Sequence, residues 1–591
     1  MNAGEFLAEL QKKGVLNAID VHFGRLIARL EGRESPAMVL AALASQVSSA
    51  RSEVCLNLAG FDLLAWANRD LEEKDHVQSL PEAWTGALPA TGGAIGTPQH
   101  PGRPLILDGN RLYLQRDWLY ERTIAQEVAQ RISAPPSAAA TEADPQAITS
   151  LALNAEQVAA AQAAMATDFL VITGGPGTGK TTIVAVILAM QLSQNPEMRV
   201  ALCAQTGKAQ ARMQEALREE ARKLRIPEAV RARLEKASAA TLHRLLGYVP
   251  GSVDFRHNRN HPLPYDLVIV DEASMIPQAM MAKLLEAIPA AAKVVLLGDR
   301  DQLASVESGA VLADLCDALP TARLAWLRKS MRFDSEKGIG RLKDVLESGH
   351  GTADVSEEAW TRLCQGGEQL RQAGTPAAEA MRGRLAAAIE ASSWGTPAYR
   401  RAATLQEAWD RFNGFRILCA TNQGPYGTVA INQQAAEIVG VSRPPQAEYL
   451  PGTPVIVAEN DYGIGLFNGD IGMAWPANDL GAPAADGDHL RIFFPDAESG
   501  WRSVLPAQLP AHDLAFALTV HKSQGSGFGQ VLCVLPERDS DWLTRELLYT
   551  AITRAKEQAV VWVNPEVFKR AVARRCLRSS GLAEQLATLA T

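Results

Sequence analysis

The stretch Val171 to Val186, VITGGPGTGKTTIVAV, restricts the possible folds of this chain more than any other. Four glycines and a proline separate a β-branched run from a long apolar segment. Gly174, four residues, then Gly179-Lys180-Thr181 has the GxxxxGK[ST] spacing of a phosphate-binding loop. Glycines let backbone N–H groups wrap an anion, because no Cβ blocks close approach or a positive φ. A helix starting near Lys180 adds its positive end. The candidate nucleotide cradle is therefore Gly174, Gly175, Pro176, Gly177, Thr178, Gly179, Lys180, Thr181 and Thr182. Lys180 is placed to reach the β/γ-phosphates, and the Thr181 hydroxyl to hold Mg²⁺. Such a loop does not by itself choose between kinase, GTPase, transporter and motor.

The surrounding pattern predicts an α/β fold. FLVIT, RVALCAQ, YDLVIVDE and KVVLLGD alternate with helical stretches, as in a parallel sheet whose ligands lie at the carboxyl ends of the strands. A second set follows from about Trp326: FRILCAT, PVIVAEN, DLAFALTV, GQVLCVLP and EQAVVWV. The expectation is two nucleotide-binding-type domains, only the first with a phosphate loop.

Three further features belong beside that loop. YDLVIVDEASM ends an apolar strand in Asp271-Glu272, which suits a Mg²⁺ ligand followed by a base that orients water. An Asp-Glu pair favours hydrolysis over phosphoryl transfer to a metabolite. KVVLLGDRDQL puts Gly298, Asp299 and Gln302 after the next strand, where Gln302 could sense a γ-phosphate or be part of a plain polar loop. Arg332 and Arg554, from the second half, are candidates for the cation that stabilises the transition state, although most arginines are surface charges.

Bulk properties add exclusions. With 591 residues, the length prior is roughly four domains. The net charge of −8 gives no global nucleic-acid signature, but a basic groove can lie on an acidic molecule. Seven scattered cysteines with no CxxC pair read as buried free thiols, not disulfides or a metal cluster. No signal-like start and no membrane-spanning run is evident, so a cytoplasmic location, with no membrane partner, is expected.

Residues 134–148, APPSAAATEADPQAI, form the clearest linker. Before it, residues 5–84 read as mostly helical, 85–104 as loop, and PLILDGNRLYLQRDWLYE as two strands around Asp108-Gly109. This front region, 1–133, is expected to be a docking or structural module. ARMQEALREEARKLRIPEAVRARLEK interleaves Arg and Lys with Glu, the pattern of a solvated helix with paired charges. The tail VFKRAVARRCLRSS is more one-signed, and suits phosphates or a partner.

The order LNAEQ, GGPGTGKTT, CAQTGKAQARM, ATLHRLLG, VIVDEASM, LLGDRDQL, LRKSMRF, LFNGDIG, TVHKSQGSGF and LYTAITRAK resembles the superfamily 1 helicases of the 5′→3′ branch, and within it the RecD family. The resemblance covers about Leu153 to Leu582 and extends into the front region. It implies two RecA-like domains, at 149–325 and 326–591, a first-domain insertion at about 213–264, and a small SH3-like β-barrel insertion at about 450–510. It implies ATP and Mg²⁺, with Lys180, Glu272, Gln302, Arg332 and Arg554 in catalysis, Thr181 and Asp271 on the metal, and Gln157 reading adenine. Thr206, Gly207, Lys208, His243, His521, Lys522, Ser523 and Gln524 are implied DNA contacts. The implied setting is a heterotrimer with RecB-like and RecC-like subunits that acts on single- and double-stranded DNA in bacterial recombination, associated with the nucleoid when on DNA. No carboxylate-plus-lysine nuclease motif is present, which leaves a nuclease to another subunit. Met331 stands before Arg332 where relatives often have His or Tyr.

Two other readings fit fewer features. A free-standing 5′→3′ helicase often carries a longer front region with helix-hairpin-helix modules, and residues 1–133 show none. A scaffold that keeps its loop only for assembly has no need of Lys180, Thr181, Asp271, Glu272, Gln302, Arg332 and Arg554 together.

Overall fold

The computed structural model describes residues 1–69, 71, 73–82, 84, 93–133, 145, 152–348, 353–395, 399–441, 449–461, 463–477, 490–496, 500–576 and 578–590. Its first lobe is built on a six-stranded parallel sheet in the order Leu324–Leu327, Phe169–Gly174, Lys293–Gly298, Leu267–Asp271, Val200–Ala204, Ala239–Thr241. The central strands are continuous apolar runs because helices cover both faces. Their carboxyl ends gather Gly174, Asp271 and Gly298 on one edge, which is why the loops that follow can share a ligand. Two of the six strands, AAT at 239–241 and LAWL at 324–327, are too short or too mixed to stand out in the sequence. The first lies inside the segment expected as an insertion, and the second crosses the boundary expected between 325 and 326.

The second lobe has a five-stranded sheet, Leu370–Ala373, Ala555–Trp562, Phe528–Val534, Phe415–Cys419, Ala517–Thr519, with all pairs parallel. Its core packs Trp394 flat on Phe412, centroids 5.4 Å apart, with Phe415 and Phe516 edge-on to Trp394. Arg416 is fully buried, its guanidinium 3.9 Å from the Phe412 centroid, and burial brings its pKa down to about 9.

A separate five-stranded antiparallel sheet is inserted there, in the order Gly500–Val504, Leu490–Asp496, Ile471–Pro476, Pro454–Val457, His512–Leu514. Strand periodicity explains its placement. Val455 and Val457 enter the small core of this sheet, whereas Ile456 between them enters the second lobe's core. PVIVAEN therefore belongs to the antiparallel sheet and not the parallel one. DLAFALTV is divided, with Leu514 ending a strand of the former and Ala517 starting one of the latter.

The front region combines helices Ala3–Lys12, Ala18–Glu31, Pro36–Ala50 and Leu63–Asn68 with a four-stranded sheet, Cys55–Asn57, Arg111–Leu114, Leu105–Asp108, Ile95–Gly96. The expected hairpin is present, but its two-residue turn is Gly109-Asn110, since Asp108 pairs with Arg111. Helix Gln115–Ile132 then leaves this module and buries Ile124, Ala125 and Val128 in the first lobe's core. Leu582 and Leu586 of helix Leu582–Ala590 enter the same core from the other end of the chain. The expected linker, 134–148, lies outside the described residues apart from Pro145, as do 85–92 of the expected loop.

The charge-rich helices Gly207–Ala221 and Glu228–Lys236 bury only their apolar stripe; Glu220 pairs with Lys223 just past the end of the first, and Arg231 with Glu228 within the second. The basic tail is used internally: Arg574 pairs with Asp539 at 2.9 Å, and Arg578 donates to the main-chain oxygens of Ser305, Glu307 and Gly309. All seven cysteines are free and five are buried. No metal-binding cluster of His, Cys, Asp and Glu occurs among the described residues, and none of their helices is long and apolar enough to cross a membrane.

Candidate nucleotide cleft and nucleic-acid groove

The phosphate-type loop closes one wall of a cavity of about 240 Å³ between the lobes. Gly177 and Gly179 adopt φ of +81° and +85°, the left-handed region in which a side chain is strained. A Cβ on Gly177 would also lie 2.4 Å from the Cβ of Arg332. Gly174 and Gly175 have a different reason to be glycine. Cβ atoms there would meet the oxygen of Leu327 at 2.6 Å and the phenol of Tyr549 at 2.7 Å.

The first lobe lines the cavity with Lys180, Thr181, Thr182, Asp271, Glu272 and Gln302, and the second with Arg332, Gly525, Ser526 and Arg554. Lys180 Nζ is held by the loop's own carbonyls, at Gly174 and Gly175. Glu272, at φ 52°, is one of two non-glycine residues with a left-handed backbone among the described residues. Burial, and then the charge of Glu272, raise the Asp271 pKa to about 6. Gln302 donates Nε2 to Asp299 Oδ2 at 2.8 Å, and its Oε1 is buried with no hydrogen-bond partner. The amide donor is thus engaged, and the carbonyl is the group left for a water or ligand.

Arg554 is buried and donates to Thr550 O at 3.1 Å and Ser526 O at 3.3 Å. Arg332 is fixed through its neighbours: Met331 N donates to Gly177 O at 2.7 Å, and Ser330 Oγ to Pro176 O. Met331 leaves its own side chain 71% exposed, so the unusual residue there alters no packing. Burial and two neighbouring guanidiniums, Arg212 and Arg554, pull the Arg332 pKa down to about 10. Crowded buried cations of this kind favour a polyanion between them.

Gln157 does not line this cavity. It caps helix Ala155–Ala166, and its Nε2 donates to Thr178 O at 3.1 Å behind the loop. Arg212, by contrast, does line it and donates to Gly525 O at 3.0 Å across the lobes. It stands in CAQTGKAQARM, five residues beyond Gly207, on the helix that begins there; that helical spacing was the signal available in the sequence.

A second groove, about 340 Å³, opens where both lobes meet the antiparallel sheet. Thr206, Gly207, Lys208 and His243 line it from the first lobe, His521, Lys522 and Gln524 from the second, and Asn460, Phe467 and Asn468 from the insertion. Ser523 is excluded: it is fully buried and donates to Val520 O at 2.7 Å. The groove is less cationic than its residue types suggest. Burial lowers the pKa of His243, against the pull of Glu307, and burial with Arg578 lowers that of His521, so both rings favour the neutral form more than a free imidazole does. Lys208 is brought down to about 7 by burial and by Arg416 and Arg212, against the pull of Asp470.

The two cavities share a wall. Gln524 lines the groove, and the next residue, Gly525, lines the nucleotide cleft.

Two parallel-sheet lobes with one phosphate loop, an acidic pair, arginines supplied across the cleft and an adjoining groove define a two-lobed P-loop NTPase. Residues 157–308 match the AAA domain, 514–562 the UvrD-like helicase C-terminal domain, and 12–113 the N-terminal domain of RecBCD enzyme subunit RecD. RecBCD enzyme subunit RecD of Mycolicibacterium smegmatis is 38% identical across 97% of this chain and 98% of its own length. The same subunit of Haemophilus influenzae is 30% identical across 99% of both. The ATP-dependent RecD2 DNA helicase of Deinococcus radiodurans is 31% identical across 80% of this chain but 58% of its own length. The chain belongs to the RecD family.

Proposed function

We propose that this chain is an ATP-hydrolysing DNA helicase that moves 5′→3′ along a single strand, as the alpha subunit of a RecBCD (exodeoxyribonuclease V) assembly with RecB-like and RecC-like chains. The observation that carries a motor is the shared wall: consecutive residues Gln524 and Gly525 face the groove and the nucleotide cleft. Any shift of the second lobe that moves one must move the other. The RecD names of near-full-length relatives, and the matched RecD N-terminal domain, favour the assembled form over a free-standing helicase. Exposed Ile19, Leu26 and Leu30 on one helix of the front region, 1–133, suit a surface covered by a partner.

In the cleft, Gly177 and Gly179 would wrap the phosphates and Lys180 would leave its carbonyls for them. Thr181 and Asp271 would hold Mg²⁺, which supplies charge neutralisation to the phosphates when bound. Glu272 would orient the attacking water with help from the free Oε1 of Gln302, and Arg332 and Arg554 would stabilise charge on the γ-phosphate. The tie of Gln157 to Thr178 suits a role in setting the loop, with adenine contact reached only if that bond opens. Lobes at 149–325 and 326–591, the latter adjusted for the strand ending at Leu327, would close and open around each ATP. The antiparallel insertion would form an SH3-like barrel that grips the strand through Phe467 and Asn468.

The test is unwinding of duplexes with only a 5′ or only a 3′ single-stranded tail, with ATP and Mg²⁺, by the full assembly carrying wild-type chain or Lys180→Gln. Loss of 5′-tailed unwinding in the variant supports the proposal. Equal unwinding by the variant, or none of 5′-tailed DNA by wild type, overturns the polarity.

A further inference from the structure

Behind Gly175 of the phosphate loop lie three side chains given no role above, Tyr549, Glu347 and Lys343. Tyr549, on the second-lobe helix Arg545–Ile552, is fully buried with its phenol oxygen 3.0 Å from Asp299 Oδ2 of the first lobe. The same oxygen lies 2.8 Å from Glu347 Oε1, on helix Gly338–Ser348. Glu347 Oε2 accepts from Lys343 Nζ at 2.8 Å, and Asp299 accepts from Gln302 Nε2. The chain of contacts therefore runs Lys343, Glu347, Tyr549, Asp299, Gln302, from the second lobe to the cleft.

Counting protons decides its state. A phenol has one proton to donate, yet two carboxyl groups lie within hydrogen-bond distance of its oxygen. With both ionised, one carboxylate oxygen would face a phenol lone pair at 3.0 Å or less, too close for a water between them, a costly arrangement at a fully buried phenol. One extra proton resolves it. Placed on Glu347, that proton would be donated to Tyr549, leaving the phenol proton for Asp299, which also accepts the N–H of Asp301 and the amide of Gln302.

We propose that Tyr549 and a protonated Glu347 form a positioning relay that sets Asp299, and through it Gln302, from the second lobe. Gly175 supports this independently. Its backbone has no positive φ, and a Cβ would lie 2.7 Å from the Tyr549 oxygen, 3.0 Å from Glu347 Oε1 and 3.0 Å from Lys343 Cε. The charged groups facing the relay are Lys343 and Asp344 on the helix of Glu347, Arg554 of the second lobe, Asp299 and Asp301 from the first lobe, and Arg545 and Arg575 beyond Asp301. Burial is the main cause raising the Glu347 pKa, with Asp299 adding to it and Lys343 opposing.

The consequence for rate rests on the helicase reading; the relay itself does not. In the full assembly, Tyr549→Phe should keep KM for ATP within about 3-fold while single-strand-stimulated kcat falls roughly 10–100-fold, the scale of a misplaced catalytic group. Glu347→Gln supplies an amide donor in place of the proton, so it should keep the rate and remove any alkaline decline in kcat that wild type shows through loss of that proton. Glu347→Ala should resemble Tyr549→Phe. A protonated-carboxyl infrared band present in wild type and absent in Glu347→Gln is expected as well. Glu347→Gln as damaging as Glu347→Ala, or no such band, overturns the relay. A wild-type assembly whose chain turns over no ATP would sink the functional proposal alone, and the infrared band would still decide the relay.

Discussion

Leu303 of the first lobe is held at both its main-chain groups by the second: its N–H donates to Thr550 Oγ1 at 2.9 Å, and its oxygen accepts from Gln524 Nε2 at 2.6 Å. Leu303 follows Gln302, so the residue beside the free amide oxygen of the cleft is clasped by a residue that lines the groove. Gln524→Ala leaves a buried carbonyl unpaired, at a cost of about 1–3 kcal/mol. The expected result is a roughly 10-fold smaller stimulation of ATP hydrolysis by single-stranded DNA, with the unstimulated rate changed far less. Titration of ATPase rate against oligonucleotide checks it.

Glu272→Gln should preserve nucleotide affinity and lower kcat by roughly 10²–10⁴-fold, as expected when a positioned base is lost. Equilibrium binding of a fluorescent ATP analogue alongside steady-state hydrolysis separates the two. Weakened binding with kcat intact would reassign the residue.

Arg332→Ala and Arg554→Ala should each lower kcat by about 10³-fold or more with small changes in nucleotide affinity. Lysine should rescue neither, because Arg554 uses separate guanidinium nitrogens for Thr550 and Ser526. Full activity in Arg554→Lys would show that only charge matters.

Glu121 gives a pH dependence whose sign can be worked out. It is buried among Tyr113, Ser580, Gly581 and Gln585, and burial raises its pKa to about 7 from an ordinary 4.5. Between those values the fold binds the proton and the unfolded chain does not, so local stability falls as pH rises, by up to about 3 kcal/mol once pH passes 7. Hydrogen exchange in Leu582–Ala590 should therefore speed up from pH 5 to pH 8 beyond the intrinsic rate, and Glu121→Gln should abolish the extra increase.

The sequence disclosed the cleft residues better than their duties. Lys180, Asp271 and Glu272 were legible because each follows an apolar strand in a fixed order, and the parallel sheet brings such ends together. The arginines were nominated by chemistry but could be placed only by the family resemblance. Gln157 and Ser523 look like ligand contacts as letters, yet in space one caps a helix against the loop and the other satisfies a buried carbonyl. Gly175 was read as a phosphate glycine, whereas contact with Tyr549, more than 350 positions away, is what leaves no room for a side chain. Tyr549 lies within LYTAITRAK and Glu347 within no motif, and neither stood out, because what they touch is reached only across a lobe boundary. The strand Ala239–Thr241 was missed for a similar reason, since three small residues become a strand only beside Val200–Ala204.

The helix Leu582–Ala590 has a consequence for how the protein is made. Leu582 and Leu586 fill the same core as Phe169, Val268 and Leu284, so the first lobe waits for residues translated after the whole of the second. A ribosome-bound chain carries that apolar slot open through most of its synthesis, as a site for a chaperone to hold or for another nascent chain to invade. A polypeptide cut short after the second lobe would leave its earliest parts unfinished, and proteolytic clearance of such fragments would follow from the gap at Leu582 without any defect in the motor.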